Sequence, residues 1–255
     1  MTLWGKIKTG IATTTLALSL LYAGCKTETP KLEQYPLSTV SIDPQYIAKK
    51  RQQTIEEIAK EAPYIGHIFY FHETQKERYI QALMNDYGFP KKGCEMLWEE
   101  IDKRKDQAFA LTIMPRDYMG KGKKSYVFVF QKSFEELRKK EDLESFIVDH
   151  EGKHAEDNAL GVELCGQKIT PDKIDQIPLY SQIVELRAFD NQYCQIRNGR
   201  QVSIPCGNFI KLRHFLLFWA LFNQKDKYAQ DAVKQTKYVS LIDLMTGEIE
   251  MWEKE

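Results

Sequence analysis

Two histidines four positions apart, His150 and His154 in FIVDHEGKHAED, constrain this chain more than any other feature. On an α-helix, residues i and i+4 lie about 40° apart around the axis, so the pair would project from one face, one turn apart. Two imidazoles placed that way can share a metal ion. Glu151 would stand about 100° round from His150, near enough to hold a water beside the metal and take its proton. Asp157 falls on the same face a turn beyond His154, placed to accept a hydrogen bond from a ligand histidine's second nitrogen. The competing reading is a solvated helix face, because Lys153, Glu156 and Asp157 are all polar.

A metal site needs a third protein donor. A histidine six residues after His154 is one way to supply it, but that position is Leu160. The downstream segment YSQIVELRAFDNQY instead offers Glu185, 31 residues after His154. Ala188 follows, where a small side chain would let two helices approach closely enough to share an ion. Gly152 points away from the histidine face, and a glycine inside a helix costs about 1 kcal/mol relative to alanine, so close packing would be the reason to keep it. Lys153 lies to the side of the pair and is expected to reach solvent.

A strand (SYVFVFQ), an HExxH helix and a later helix carrying Glu-x-x-Ala together resemble the gluzincin group of zinc metallopeptidases. The resemblance covers about residues 125 to 192. It implies a zincin-like fold with Zn2+ held by His150, His154 and Glu185, and Glu151 as general base. It also implies a peptide or protein substrate. Gly152 and Lys153 depart from the usual signature, and Phe189 stands where some members carry an acid, with Asp190 one place later. Tyr180, Tyr193 and His214 are candidates for stabilising an oxyanion, and Tyr193 and His214, with Asp157, are the candidate supports of the ligands. The alternative function is a non-catalytic zinc-binding lipoprotein acting as a binding or scaffolding module.

The first residues read as an address. MTLWGKIKTG carries Lys6 and Lys8 and no acid, and IATTTLALSLLYAG is an apolar run too short for a comfortable membrane span. The run ends in small residues before Cys25 and resembles a bacterial lipoprotein signal peptide, despite Tyr22 three places before the cysteine. The resemblance implies loss of residues 1 to 24, lipid on Cys25 and an exported chain anchored to a membrane of the cell envelope. An ordinary secretory leader or an uncleaved anchor would read similarly. KTETPKLEQYPLSTVSIDP then has prolines and no hydrophobic period, so residues 25 to 43 read as the lipidated cysteine and a tether.

Export changes the cysteine arithmetic. Beyond Cys25, the residues Cys94, Cys165, Cys194 and Cys206 form an even number in an oxidising space, which permits three disulfide pairings. Cys194 with Cys206 would close the loop QIRNGRQVSIP, and buried thiols are the other possibility.

Residues 44 to 255 are expected to form a single α+β domain, mostly helical with a small sheet beside the HExxH helix. At 43% hydrophobic the chain can bury a substantial core. Its 36 basic and 36 acidic residues balance, and removing Lys6 and Lys8 leaves 34 against 36, which argues against binding nucleic acid through net charge. Helical spacing marks residues 44 to 62, 75 to 89 and 91 to 105, with Gly88 and Pro90 between the last two. QAFALTIMP and SYVFVFQ are rich in strand formers, joined by the loop RDYMGKGKK. A charged helix (FEELRKKED), a loop over 161 to 178 and a helix from about 179 to 196 follow. NFIKLRHFLLFWALFN, interrupted by Lys211, Arg213 and His214, reads as a buried core helix rather than a membrane span. His67 and His72 in GHIFYFHE read as the edge of a half-buried strand or helix.

Overall fold

The computed structural model describes residues 43 to 137 and 139 to 236, and the backbone of residues 238 to 242 and 249 to 253. The expected leader, Cys25 and the tether up to residue 42 lie outside the described residues. Asp43, the last residue of that tether, starts the fold: its carboxylate caps helix α1 (Pro44–Ala59) by accepting from the Gln45 amide, with Pro44 at the first helical position.

The chain then alternates as the periodicities predict. Strand β1 (Ile65–Phe71) precedes helices α2 (Lys76–Asn85) and α3 (Lys91–Arg104), and strands β2 (Ala110–Ile113) and β3 (Ser125–Phe130) follow. The sheet has the order β1-β3-β2, with β1 parallel and β2 antiparallel to β3. Two strands were expected, whereas three form, because IGHIFYF extends alongside SYVFVF.

Every residue of β3 is buried, which accounts for its unbroken apolar run. Val127 and Val129 face a core shared with α1 and the HExxH region, while Tyr126, Phe128 and Phe130 face a second core with α2 and α3. His67 sits in this second core's aromatic margin, edge-on to Tyr87 and Tyr126 at 4.4 and 4.8 Å, and burial lowers its pKa. His72 bonds Thr74.

The charged helix expected over FEELRKKED is two short helices, α4 (Gln131–Glu136) and α5 (Lys140–Glu144). The break falls where Leu137 leaves helical backbone geometry and buries its side chain. From α5 the rod continues as a π-helical turn (Ser145–Glu151) into α6 (Gly152–Leu160), where Gly161, at φ 76°, stops it. The loop expected over 161 to 178 contains a small hairpin, β4 (Val162–Leu164) with β5 (Gln167–Ile169). Cys165 and Gly166 at its tip both have positive φ, the requirement of the tightest hairpin turn.

Helices α7 (Tyr180–Arg197), α8 (Ile204–Phe222) and α9 (Lys227–Gln235) complete the helical part. A C-terminal hairpin of β6 (Tyr238–Ile242) and β7 (Ile249–Glu253) follows. Among the described residues no helix is long and apolar enough to cross a membrane. Helix α8 is a core helix only in part, since Trp219 and Phe222 at its end are 52% and 49% exposed.

The expected disulfides do not form. Cys94, Cys165, Cys194 and Cys206 are all thiols, three of them buried and Cys165 exposed at the hairpin tip. In place of a bridge, the segment between α7 and α8 is held by Asp142, which accepts from both the amide and the hydroxyl of Ser203 at 2.7 Å. Burial, with Asp142 adding, pushes the Cys206 thiol up to about 12.

Candidate metal centre

The helix carrying the histidines is held from three sides. Thr112 on the edge strand β2 donates to Glu151 Oε2 at 2.6 Å. Asn158 donates to Ser125 of β3 at 3.2 Å. From α7, Asn191 donates to the Asp149 carbonyl at 2.7 Å and Gln192 to Ser145 at 3.1 Å. The π turn in the middle was not expected from the sequence. The Gly152 amide reaches back to Ile147 as well as to His150, so one extra residue is accommodated in the turn that carries His150 and Glu151. Such turns widen a helix and re-aim the side chains beside them.

The expected three residues meet. His150 Nε2 lies 3.6 Å from one oxygen of Glu185, and His154 Nε2 lies 3.4 Å from the other. The two imidazoles are edge-to-face with ring centroids 4.9 Å apart. One donor atom from each of His150, His154 and Glu185 lies within 4.8 Å of the others. Donors bound tetrahedrally at about 2.0–2.1 Å are separated by roughly 3.3 Å, so each histidine lies near that spacing from one of the two Glu185 oxygens, and the set closes onto one ion from a span of at most 4.8 Å. Two nitrogens and a carboxylate suit zinc.

Charge in the cluster is strongly coupled. Burial alone would lower the pKa of His154, but the hydrogen bond and charge of Glu185, helped by Glu151 and Asp157, overcome it and push His154 up to about 9. Burial likewise favours a protonated Glu185, yet hydrogen bonds and charges from both histidines hold its carboxyl well below the usual range. A proton on His154 thus occupies the place that a cation would contest.

The surroundings correct several expectations. Asp157 does not support a ligand histidine. Its buried carboxylate is gripped by Arg187 at 2.9 and 3.1 Å and by Lys153 at 3.0 Å. The planar guanidinium fits both oxygens, so Asp157 clamps α6 to α7, the helix that carries Glu185. Lys153 is accordingly tied down between Glu156 and Asp157 instead of reaching solvent. Tyr180 lies beside this clamp; burial, then the Asp157 charge, against Arg187, pushes its phenol up to about 12. His150 Nδ1 is buried with no hydrogen-bond partner among the described residues, because its ring is walled by Phe146 and Phe189, with centroids 5.8 and 4.4 Å away.

Tyr193 and His214 are fully buried with rings 5.6 Å apart, and His214 bonds Asp190 at 3.1 Å. These three residues form a core group across α7 and α8. Ala188 is fully buried as expected, whereas Gly152 is not held by close packing, since a β-carbon there would meet Ala62 only at the ordinary contact distance of 3.4 Å. Thr112, Arg187 and Phe189 are the site residues that sequence spacing missed. Only the apolar character of Phe189, where an acid was sought, hinted at its place in the wall.

No protein-family model matches the chain, and no curated protein or solved structure is significantly similar to it.

Proposed function

We propose that this chain is a zinc-dependent metallopeptidase with a zincin-like fold, anchored in the bacterial cell envelope by lipid on Cys25. The observation that carries the reading is the convergence of His150, His154 and Glu185, from two helices, with Glu151 fixed beside them by Thr112. His150, His154 and Glu185 would hold the ion. Zinc bound there supplies a Lewis acid that polarises a carbonyl and makes a water easier to deprotonate.

The chain's own part follows from its contacts. The Thr112 hydroxyl takes one Glu151 oxygen, which holds the carboxylate in one orientation and leaves the other oxygen to accept a water proton and return it to the leaving nitrogen. Phe146 and Phe189 keep water from the flank of His150, so its exchangeable chemistry is confined to Nε2. The side chain of Glu185 is 40% exposed, so the cluster opens to solvent, and a substrate, on that side.

The test is zinc content and peptide hydrolysis measured on wild type, His154→Ala, Glu185→Ala and Glu151→Gln. The expected pattern is one zinc per chain in wild type and Glu151→Gln, loss of zinc in the two ligand variants, and hydrolysis in wild type alone. A wild type that takes up no zinc after loading refutes the reading. Zinc retained with no hydrolysis of any peptide in a broad library leaves a binding module instead.

A further inference from the structure

Among the described residues, a cation without an anion stands near the ligand cluster. Arg213 of α8 is half-buried, its Nε is buried with no hydrogen-bond partner, and no ion pair engages it among the described residues. Its contact is with the face of Phe189, 5.9 Å from guanidinium carbon to ring centroid. The two acids of α7 that flank Phe189 are already engaged: Glu185 bridges His150 and His154, and Asp190 bonds His214. Nε is the nitrogen of the fork that is buried and unpaired, and a buried donor without an acceptor costs free energy that a bound anion would recover. Among the described residues no anion engages the guanidinium of Arg213, which leaves its charge and planar fork open to a ligand.

Its position relates that ligand to the candidate chemistry. Phe189 is a shared wall, with its ring 4.4 Å from that of His150 and its face under Arg213. Taking the two steps together, the guanidinium carbon is no more than about 10 Å from the His150 ring. An extended peptide advances about 3.3–3.6 Å per residue, so the span from a carbonyl at the cluster to a carboxylate one or two residues further on is of the same order as that upper bound. A guanidinium pre-oriented on an aromatic face pairs with a carboxylate through two parallel hydrogen bonds.

We propose that Arg213 binds the free C-terminal carboxylate of the substrate, so that the enzyme removes one or two residues from peptide C-termini. The proposal rests on the metallopeptidase reading. The step is hydrolysis of the last or penultimate peptide bond. The water oxygen joins the carbonyl carbon, the C–N bond breaks, and both water protons finish on the leaving amine. The products are a carboxylate and an ammonium group, with no change of oxidation state.

Binding tests this apart from turnover. Calorimetry on full-length, zinc-loaded Glu151→Gln protein compares acetyl-trialanine ending in a free carboxylate with the same peptide amidated. The acid is expected to bind at least tenfold more tightly, and adding Arg213→Gln should abolish the difference while zinc content stays at one per chain. Arg213→Lys should keep part of the preference, since charge survives and the fork does not. Equal affinity for acid and amide, or a preference that persists in Arg213→Gln, overturns the proposal, and the first comparison needs no Arg213 variant to fold. Protein that takes up no zinc yet prefers the acid through Arg213 keeps this site and refutes the metallopeptidase reading. No zinc and no preference refutes both.

Discussion

Zinc binding at pH 7 should expel a proton from His154. In the metal-free site Glu185 lies 3.4 Å from His154 Nε2, and its hydrogen bond and charge outweigh the effect of burial to set the pKa at about 9. A zinc ligand must be neutral imidazole, so the ion competes with that proton. Each pH unit below 9 then lowers apparent affinity about tenfold, or about 1.4 kcal/mol, so the drop between pH 9 and pH 7 is about a hundredfold. Competition against a chromophoric chelator at half-unit pH steps would give log affinity rising with a slope near one from pH 7 to 8.5 and flattening above 9. Calorimetry at pH 7 in buffers of different ionisation enthalpy should count at least one proton released per zinc. Glu185→Gln removes the charge that raises the pKa, so its slope should move to lower pH as affinity falls. A flat wild-type affinity between pH 7 and 8.5 would refute the coupling of His154 to Glu185.

Three other perturbations probe the frame. Arg187→Ala leaves the buried Asp157 carboxylate with Lys153 alone, so urea unfolding should show about 2–3 kcal/mol lost, less than for a fully orphaned buried charge, and zinc affinity should fall as α7 loosens. Gly152→Ala should stabilise by about 0.5–1 kcal/mol in the same assay, because the added methyl only touches Ala62 at 3.4 Å and alanine restrains the helix backbone; destabilisation would show that contact to be too tight. A thiol reagent at pH 8 should modify Cys165 quickly in the native chain and Cys94, Cys194 and Cys206 only after denaturation, and a count of fewer thiols in denaturant would mean that a disulfide forms after all.

Much of this architecture is legible in the chain because the signals are local. Period-3.6 spacing from Pro44 marks α1, and the strand formers of SYVFVF mark β3, whereas the cap from Asp43 and the burial of both strand faces come from the structure. The HExxH spacing and the distance to Glu185 point to the ligand set for the same reason, since one turn of helix relates His150 to His154. Strand β1 carries a weaker local signal because IGHIFYF alternates poorly, its burial being decided by α2 and α3 on one side and α1 on the other. The charged FEELRKKED looked continuous, yet burying Leu137 required the chain to turn.

Chain order and spacing alone establish which residues could ligate a metal and that two helices must bring them together. Tertiary packing decided the rest. Asp157 is equally well placed, in sequence, to hold a histidine or to be held by an arginine, and Arg187 takes it because α7 packs with that guanidinium against α6. The Thr112 bond to Glu151 and the placing of Arg213 over Phe189 likewise depend on residues 20 to 40 positions apart. Local periodicity carries no record of such partners, because side-chain charge and hydrogen bonding are settled only when distant segments exclude water between them.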